Sequence, residues 1–101
     1  MNKIILTGRI TKKIDINHTK SGKAIVNFDI AVKDLKKKNE DGSFGTNFIR
    51  CKLLGNGAIN LEKYTNKGSR ILVCGELKID VIKQEDGSSK FFSYVWVNEV
   101  D

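Results

Sequence analysis

Apolar and polar residues alternate with period two along most of this chain, the pattern of strands that bury one face. From Asn2 to Ile10 the alternation sets Ile4, Leu6 and Ile10 on one side, with Gly8 between them. Lys23 to Lys33 is clearer: Ala24, Val26, Phe28, Ile30 and Val32 alternate with Ile25, Asn27, Asp29, Ala31 and Lys33. Thr46 to Gly55 sets Ile49, Cys51 and Leu53 against Phe48, Arg50, Lys52 and Leu54. Arg70 to Lys83 sets Ile71, Val73, Gly75, Leu77, Ile79 and Val81 against Leu72, Cys74, Glu76, Lys78, Asp80 and Ile82. The last strand, Lys90 to Val100, carries Val95 and Val97 opposite Phe92, Tyr94 and Trp96.

The breaks between strands are chemically marked. Ser21-Gly22 predicts a tight turn before the second strand, and Glu85-Asp86-Gly87-Ser88 another before the last. Lys36 to Gly45 is charged, glycine-containing and aperiodic, and predicts a long hairpin loop. One stretch has helical spacing: Asn56 as its cap, Ala58, Leu61 and Thr65 on one face, and Gly68 as the left-handed residue after the last turn. Strand, strand, strand, helix, strand, strand is the layout of an all-β OB-fold, a five-stranded Greek-key barrel with one short helix between strands 3 and 4. The whole of residues 1–101 is read as one such domain.

Composition narrows the partners. Eighteen Lys and Arg against 12 Asp and Glu leave a net charge of +6, which favours a polyanion without saying which one. A domain this short buries only about 60–65% of its unfolded surface, so association with copies of itself would help stability. No apolar run approaches the roughly 18 residues of a spanning helix, and the N-terminus lacks a signal-peptide core. Cys51 and Cys74 sit in apolar runs without a CxxC spacing, and the expectation is free, buried thiols in a reducing cytoplasm. His18 is the only histidine, so a metal or catalytic cluster built on histidine is excluded, and a turn position is expected for it. Cys51 has no base beside it in the pattern, and no phosphate-cradling glycine loop occurs. The expectation is a binding protein, with no cofactor, no metal and no small-molecule substrate.

Four segments in register resemble a known family: MNKIILTGRIT, HTKSGKAIVNFDIAV, NFIRCKLLG and EKYTNKGSRILVCGELK. Together they are similar, in order and spacing from Met1 to Val100, to the bacterial and phage single-stranded DNA-binding proteins. The resemblance implies an OB-fold that coats single-stranded DNA without sequence readout, in replication, recombination or repair, as a homotetramer. Binding of that kind combines phosphate neutralisation by a basic groove with stacking of bases on aromatic faces.

The basic groove has candidates here. Arg50 and Lys52 share the outward face of the third strand with Phe48, Lys33 leads toward Lys36, Lys37 and Lys38, and Lys78 takes the outward parity of the fourth strand. The stacking half is thinner than the resemblance implies. Phe48 matches one aromatic platform, but the others fall on Leu54, on Ile82 and near Leu35 or Lys36, while Asp29 and Asp80 add acids to the outward face. Each lost stack removes about 1–3 kcal/mol, partly offset by aliphatic contact. Phe44 offers a mobile substitute or a loop anchor.

Phe92, Tyr94 and Trp96 occupy alternate positions and so line one face, where three water-facing aromatics would make a large apolar patch. The expectation is a buried interface between copies, joined by Leu72 and Cys74; a displaced base-stacking platform and packing against loops are the alternatives. An oligomeric protein-interaction or replication accessory module on the same fold is the competing function. Members of the family also carry a flexible linker and an acidic tip that recruits other enzymes; the sequence stops at Val100-Asp101. A tail-less form, whether natural in a phage or mobile element or produced by removal, is expected to coat DNA without recruiting partners by that route.

Overall fold

The structure is a computed structural model that describes residues 1–101. Strands β1 (Ile4–Ile10), β2 (Asn17–His18), β3 (Ala24–Lys38) and β4 (Phe44–Leu54) precede helix α1 (Asn56–Tyr64), and β5 (Arg70–Lys83) and β6 (Ser89–Val100) follow it. β1 pairs antiparallel with both β3 and β5, β3 with β4, and β5 with β6. A parallel contact between β4 and β6, Cys51 with Val95 and Lys52 with Trp96, closes these five strands into a barrel. That closure is the expected OB-fold.

The inward parity read from the sequence is the buried one within the barrel, but not along the outer half of β5, where Leu77, Ile79 and Val81 share that parity and are exposed because the strand runs on beyond the barrel. Val26, Ile30 and Phe28 of β3, Cys51 and Leu53 of β4, Ile71 and Val73 of β5, and Val95 and Val97 of β6 form one apolar cluster with Ile10, Ile14 and Ala24. Ala58 and Leu61 of α1 join it and cover one end of the barrel. Each fully buried aliphatic side chain contributes about 1.5–3 kcal/mol. Gly75 is required where β5 bends against β6, because a Cβ there would lie 2.1 Å from the Trp96 carbonyl oxygen, at a register shift in the ladder.

Cys74, expected to be buried with Cys51, is half-buried on the outward side of β5, and four further expectations need correction. Lys36 to Gly45 is not a long loop: β3 runs to Lys38, β4 begins at Phe44, and only residues 39–43 turn, closed by the Asn39 N–H donating to the Ser43 carbonyl. The register jumps from Asp34–Gly45 to Lys38–Phe44, so Leu35, Lys36 and Lys37 bulge from β3. The segment is a ribbon wetted on both faces, which needs no apolar alternation. The helix is not capped by Asn56, its first residue; Gly55, at φ 83°, is the N-cap and no side chain caps the end. Gly68 has the positive φ expected, but in a turn beyond the C-cap Thr65, where the Ser69 N–H donates to the Asn66 carbonyl. His18 lies in β2, a two-residue strand against Ile25 and Ala24, rather than in a turn.

Because β4 and β6 run parallel, the hairpins that precede them both leave the barrel at the end away from α1. Two ribbons therefore stand beyond the barrel, Asp34–Thr46 from β3 and β4, and Lys78–Ser93 from β5 and β6.

Candidate nucleic-acid interface

Cross-strand register assembles the outward face. On β3 and β4 it pairs Ile25 with Leu54, Asn27 with Lys52, Asp29 with Arg50, Ala31 with Phe48 and Lys33 with Thr46. On β5 and β6 it pairs Glu76 with Trp96, Lys78 with Tyr94, Asp80 with Phe92 and Ile82 with Lys90. The Lys52–Trp96 contact joins the two halves, and ahead of it the strands part. A cleft of about 450 Å³ opens there, between Phe48, Arg50 and Lys52 on one side and Phe92, Ser93 and Tyr94 on the other. Asn27, Asp29 and Asp80 complete its lining.

Several side chains in the cleft are already engaged. The Arg50 Nε donates to Asp29 Oδ1 at 2.7 Å, so this guanidinium is already paired with a carboxylate. The Lys52 ammonium sits over the Tyr94 ring, 4.9 Å from its centroid. Lys78, on the same face, lies 3.8 Å from Glu76. Phe48 is the open aromatic of the group, 69% exposed.

The expected site residues divide. Phe48, Arg50 and Lys52 meet in the cleft. Lys33 instead stands beside Arg9 and Arg70 on the neighbouring outward surface of β1, β3 and β5. Lys36, Lys37 and Lys38 lie along the β3–β4 ribbon, with the Lys37 ammonium donating to Asn47 at 3.5 Å. Ile82 is exposed near the tip of the other ribbon, opposite Lys90. Leu54 is half-buried at the helix end of the barrel, opposite Ile25. Among the residues expected between copies, Phe92 and Tyr94 line the cleft; Leu72 and Cys74 are half-buried farther along β5, opposite Thr7 and Ile5 of β1.

The chain matches the model of the single-strand binding protein family over residues 1–101. The chain belongs to that family. A single-stranded DNA-binding protein of Oceanobacillus iheyensis is 32% identical over 100 residues, which is 99% of this chain and 62% of that protein. Single-stranded DNA-binding protein 1 of Streptococcus pyogenes serotype M18 is 31% identical over 99% of this chain and 72% of its own length. Single-stranded DNA-binding protein B of Bacillus subtilis is 29% identical over 98% of this chain and 87% of its own. This chain thus spans less than two thirds of the Oceanobacillus protein.

This member of the single-strand binding protein family has cations that its sequence pattern did not bring forward. Lys12 and Lys13, in the aperiodic stretch after β1, border a hollow that also touches Asn27, Asp29 and Arg50, so positive charge continues past the cleft. Arg9 stands in one cross-strand row with Arg70 and Ala31, and Ala31 in turn pairs with Phe48. The signal was present for Arg9, whose outward parity follows from Ile10 pointing inward. Lys12 and Lys13 carried none. Burial, helped by the charge of Asp29, pushes the Cys51 thiol up to about 12, which keeps it protonated and suits packing rather than nucleophilic work. No helix is long and apolar enough to cross a membrane.

Proposed function

We propose that this protein binds single-stranded DNA without reading its sequence, coating and protecting it in the cytoplasm during replication, recombination or repair. The observation that carries the reading is the cleft itself: an open aromatic ring, Phe48, beside Lys52 and Arg50, on the outward face of an OB-fold barrel. Phosphates meet the cations and bases meet the ring, an arrangement indifferent to sequence because every base has a π-face. Lys33, Lys36, Lys37, Lys38 and Lys78 extend the positive field along the path. Leu54 and Ile82 offer aliphatic contact only. Family membership and the names of the relatives agree with this reading.

Copies of the chain associate into a dimer or tetramer in this proposal. The support is an uncharged apolar row on the β5–β6 ribbon, Leu77, Ile79, Val81 and Phe91, all exposed in the single chain. Leu72, Cys74 and Trp96 add half-buried apolar surface on the outward side.

Titration of oligo-dT against duplex of equal length, at low and moderate salt, tests the function. Tight, salt-sensitive binding to the single strand alone is expected, with Phe48→Ala weakening it by about 1–3 kcal/mol. Equal, weak binding to both would instead favour an oligomeric accessory that works through protein contacts. Sedimentation tests association, with Ile79→Glu expected to yield monomer.

A further inference from the structure

The two faces of the β5–β6 ribbon differ in kind. On one, the cross-strand pairs short of the tip are uncharged, Leu77 with Val95, Ile79 with Ser93 and Val81 with Phe91, and charge enters only with Lys83 opposite Ser89. On the other, each aromatic has a charged neighbour: Tyr94 with Lys78, Phe92 with Asp80. An interface between protein copies excludes charge from its centre, and covering Phe92 and Tyr94 would strand Lys78, Lys52 and Asp80 away from water. The charged face suits a ligand that is itself aromatic and charged.

That face meets Phe48. Ahead of the Lys52–Trp96 contact β4 and β6 part, and Phe48 and Arg50 of the one strand line the same cleft as Phe92 and Tyr94 of the other. Phe92 is 48% exposed. The sequence lacks aromatics at Leu54 and Ile82, so stacking capacity is missing there and present here.

We propose that Phe92 and Tyr94 form a second base-stacking platform facing Phe48, so that a single strand lies along the seam between β4 and β6. The inference rests on the single-strand reading above. In the free protein the Lys52 ammonium covers the Tyr94 ring. A base takes its place, and Lys52 swings to the adjoining phosphate. One lost cation–π contact is exchanged for a stack and a phosphate contact.

The test uses the intact chain and a dT oligonucleotide carrying 5-iodouracil. Photo-crosslinks are expected at Phe92 or Tyr94 in the wild type, a measurement independent of any variant's folding. The double variant Phe92→Leu/Tyr94→Leu keeps apolar bulk but loses both rings, and should bind dT at least about tenfold more weakly with unchanged sedimentation. Tyr64→Leu, on α1 at the far end of the barrel, should bind as the wild type. Wild-type binding with crosslinks confined elsewhere and an unaffected double variant overturns this platform while leaving the single-strand reading intact. Dissociation of the double variant to monomers also overturns it, assigning the rings to a subunit interface. A wild type that ignores dT altogether removes the single-strand reading first, and the platform with it.

Discussion

Arg50 and Asp29 face each other across the β3–β4 ladder with Nε and Oδ1 2.7 Å apart, in the floor of the cleft that a polyanion is proposed to enter. The Arg50 side chain is exposed and that of Asp29 half-buried, and a pair this open to water adds little to stability. In the proposed function its larger effect is on binding, because a carboxylate that holds the guanidinium also repels phosphate. Asp29→Asn should therefore tighten dT binding and steepen the slope of log K against log salt by about 0.7, one extra phosphate contact. The unfolding free energy should fall by no more than about 1 kcal/mol. Titrations at several salt concentrations, with a denaturant melt alongside, check both.

Gly75 sets the bend that carries β6 into position. A methyl group there would collide with backbone, 2.1 Å from the Trp96 carbonyl oxygen and 3.0 Å from the Val97 Cα, with no flexible side chain to yield. Gly75→Ala should cost about 1–3 kcal/mol or more. It should also shift the emission of Trp96, the chain's single tryptophan. Equilibrium unfolding followed by fluorescence reads the two together.

Both hairpin tips are built alike. Asp41 accepts hydrogen bonds from the Ser43 hydroxyl and N–H, and Asp86 from those of Ser88, which hold both carboxyls below the usual 3.8. A carboxylate with a depressed pKa contributes above its unfolded value and loses that contribution as pH falls through the folded one. The tips should thus keep their order down to pH 3.8 and lose it at lower pH, while the barrel persists. Amide shifts of Ser43 and Ser88 in an acid titration, compared with those of Val26 and Val73, would show it.

Cys51 and Cys74 should separate in reactivity. Cys51 is fully buried with its thiol pushed up to about 12, whereas Cys74 is half-buried on the outward side of β5. The Ile79→Glu monomer at pH 8 should label at Cys74 alone, with Cys51 reacting only on unfolding. Between pH 9.0 and about 12 the unfolded thiol ionises while the native one keeps its proton, so Cys51 makes stability decline as pH rises through that window. Mass spectrometry of alkylated protein and melts at increasing pH follow the two effects.

Strand parity was readable because a half-buried strand writes its burial into alternate letters. Alternation places Val26, Ile30, Cys51, Val73 and Val95 inward, and all are buried; it places Leu77, Ile79 and Val81 inward as well, and these are exposed because alternation does not say where β5 leaves the barrel. The β3–β4 ribbon was not readable, because Leu35 to Lys38 stand in water on both faces and no alternation is imposed on them. The Asp29–Arg50 pair needs a register between segments 21 residues apart, which composition does not supply. The meeting of Tyr94 with Lys52 depends on a parallel contact between β4 and β6, and nothing local to either strand announces it.

None of the side chains in the apolar cluster comes from the stretches Lys33–Arg50 or Glu76–Tyr94. Most of the proposed ligand contacts thus lie outside the segments that fill the barrel, Lys52 and Leu54 beside Cys51 and Leu53 being the exceptions, and those outlying surfaces are free to diverge without loosening the barrel. Mutational tolerance measured by thermal melting should trace one map of this chain, and tolerance measured by retention on a polynucleotide column another.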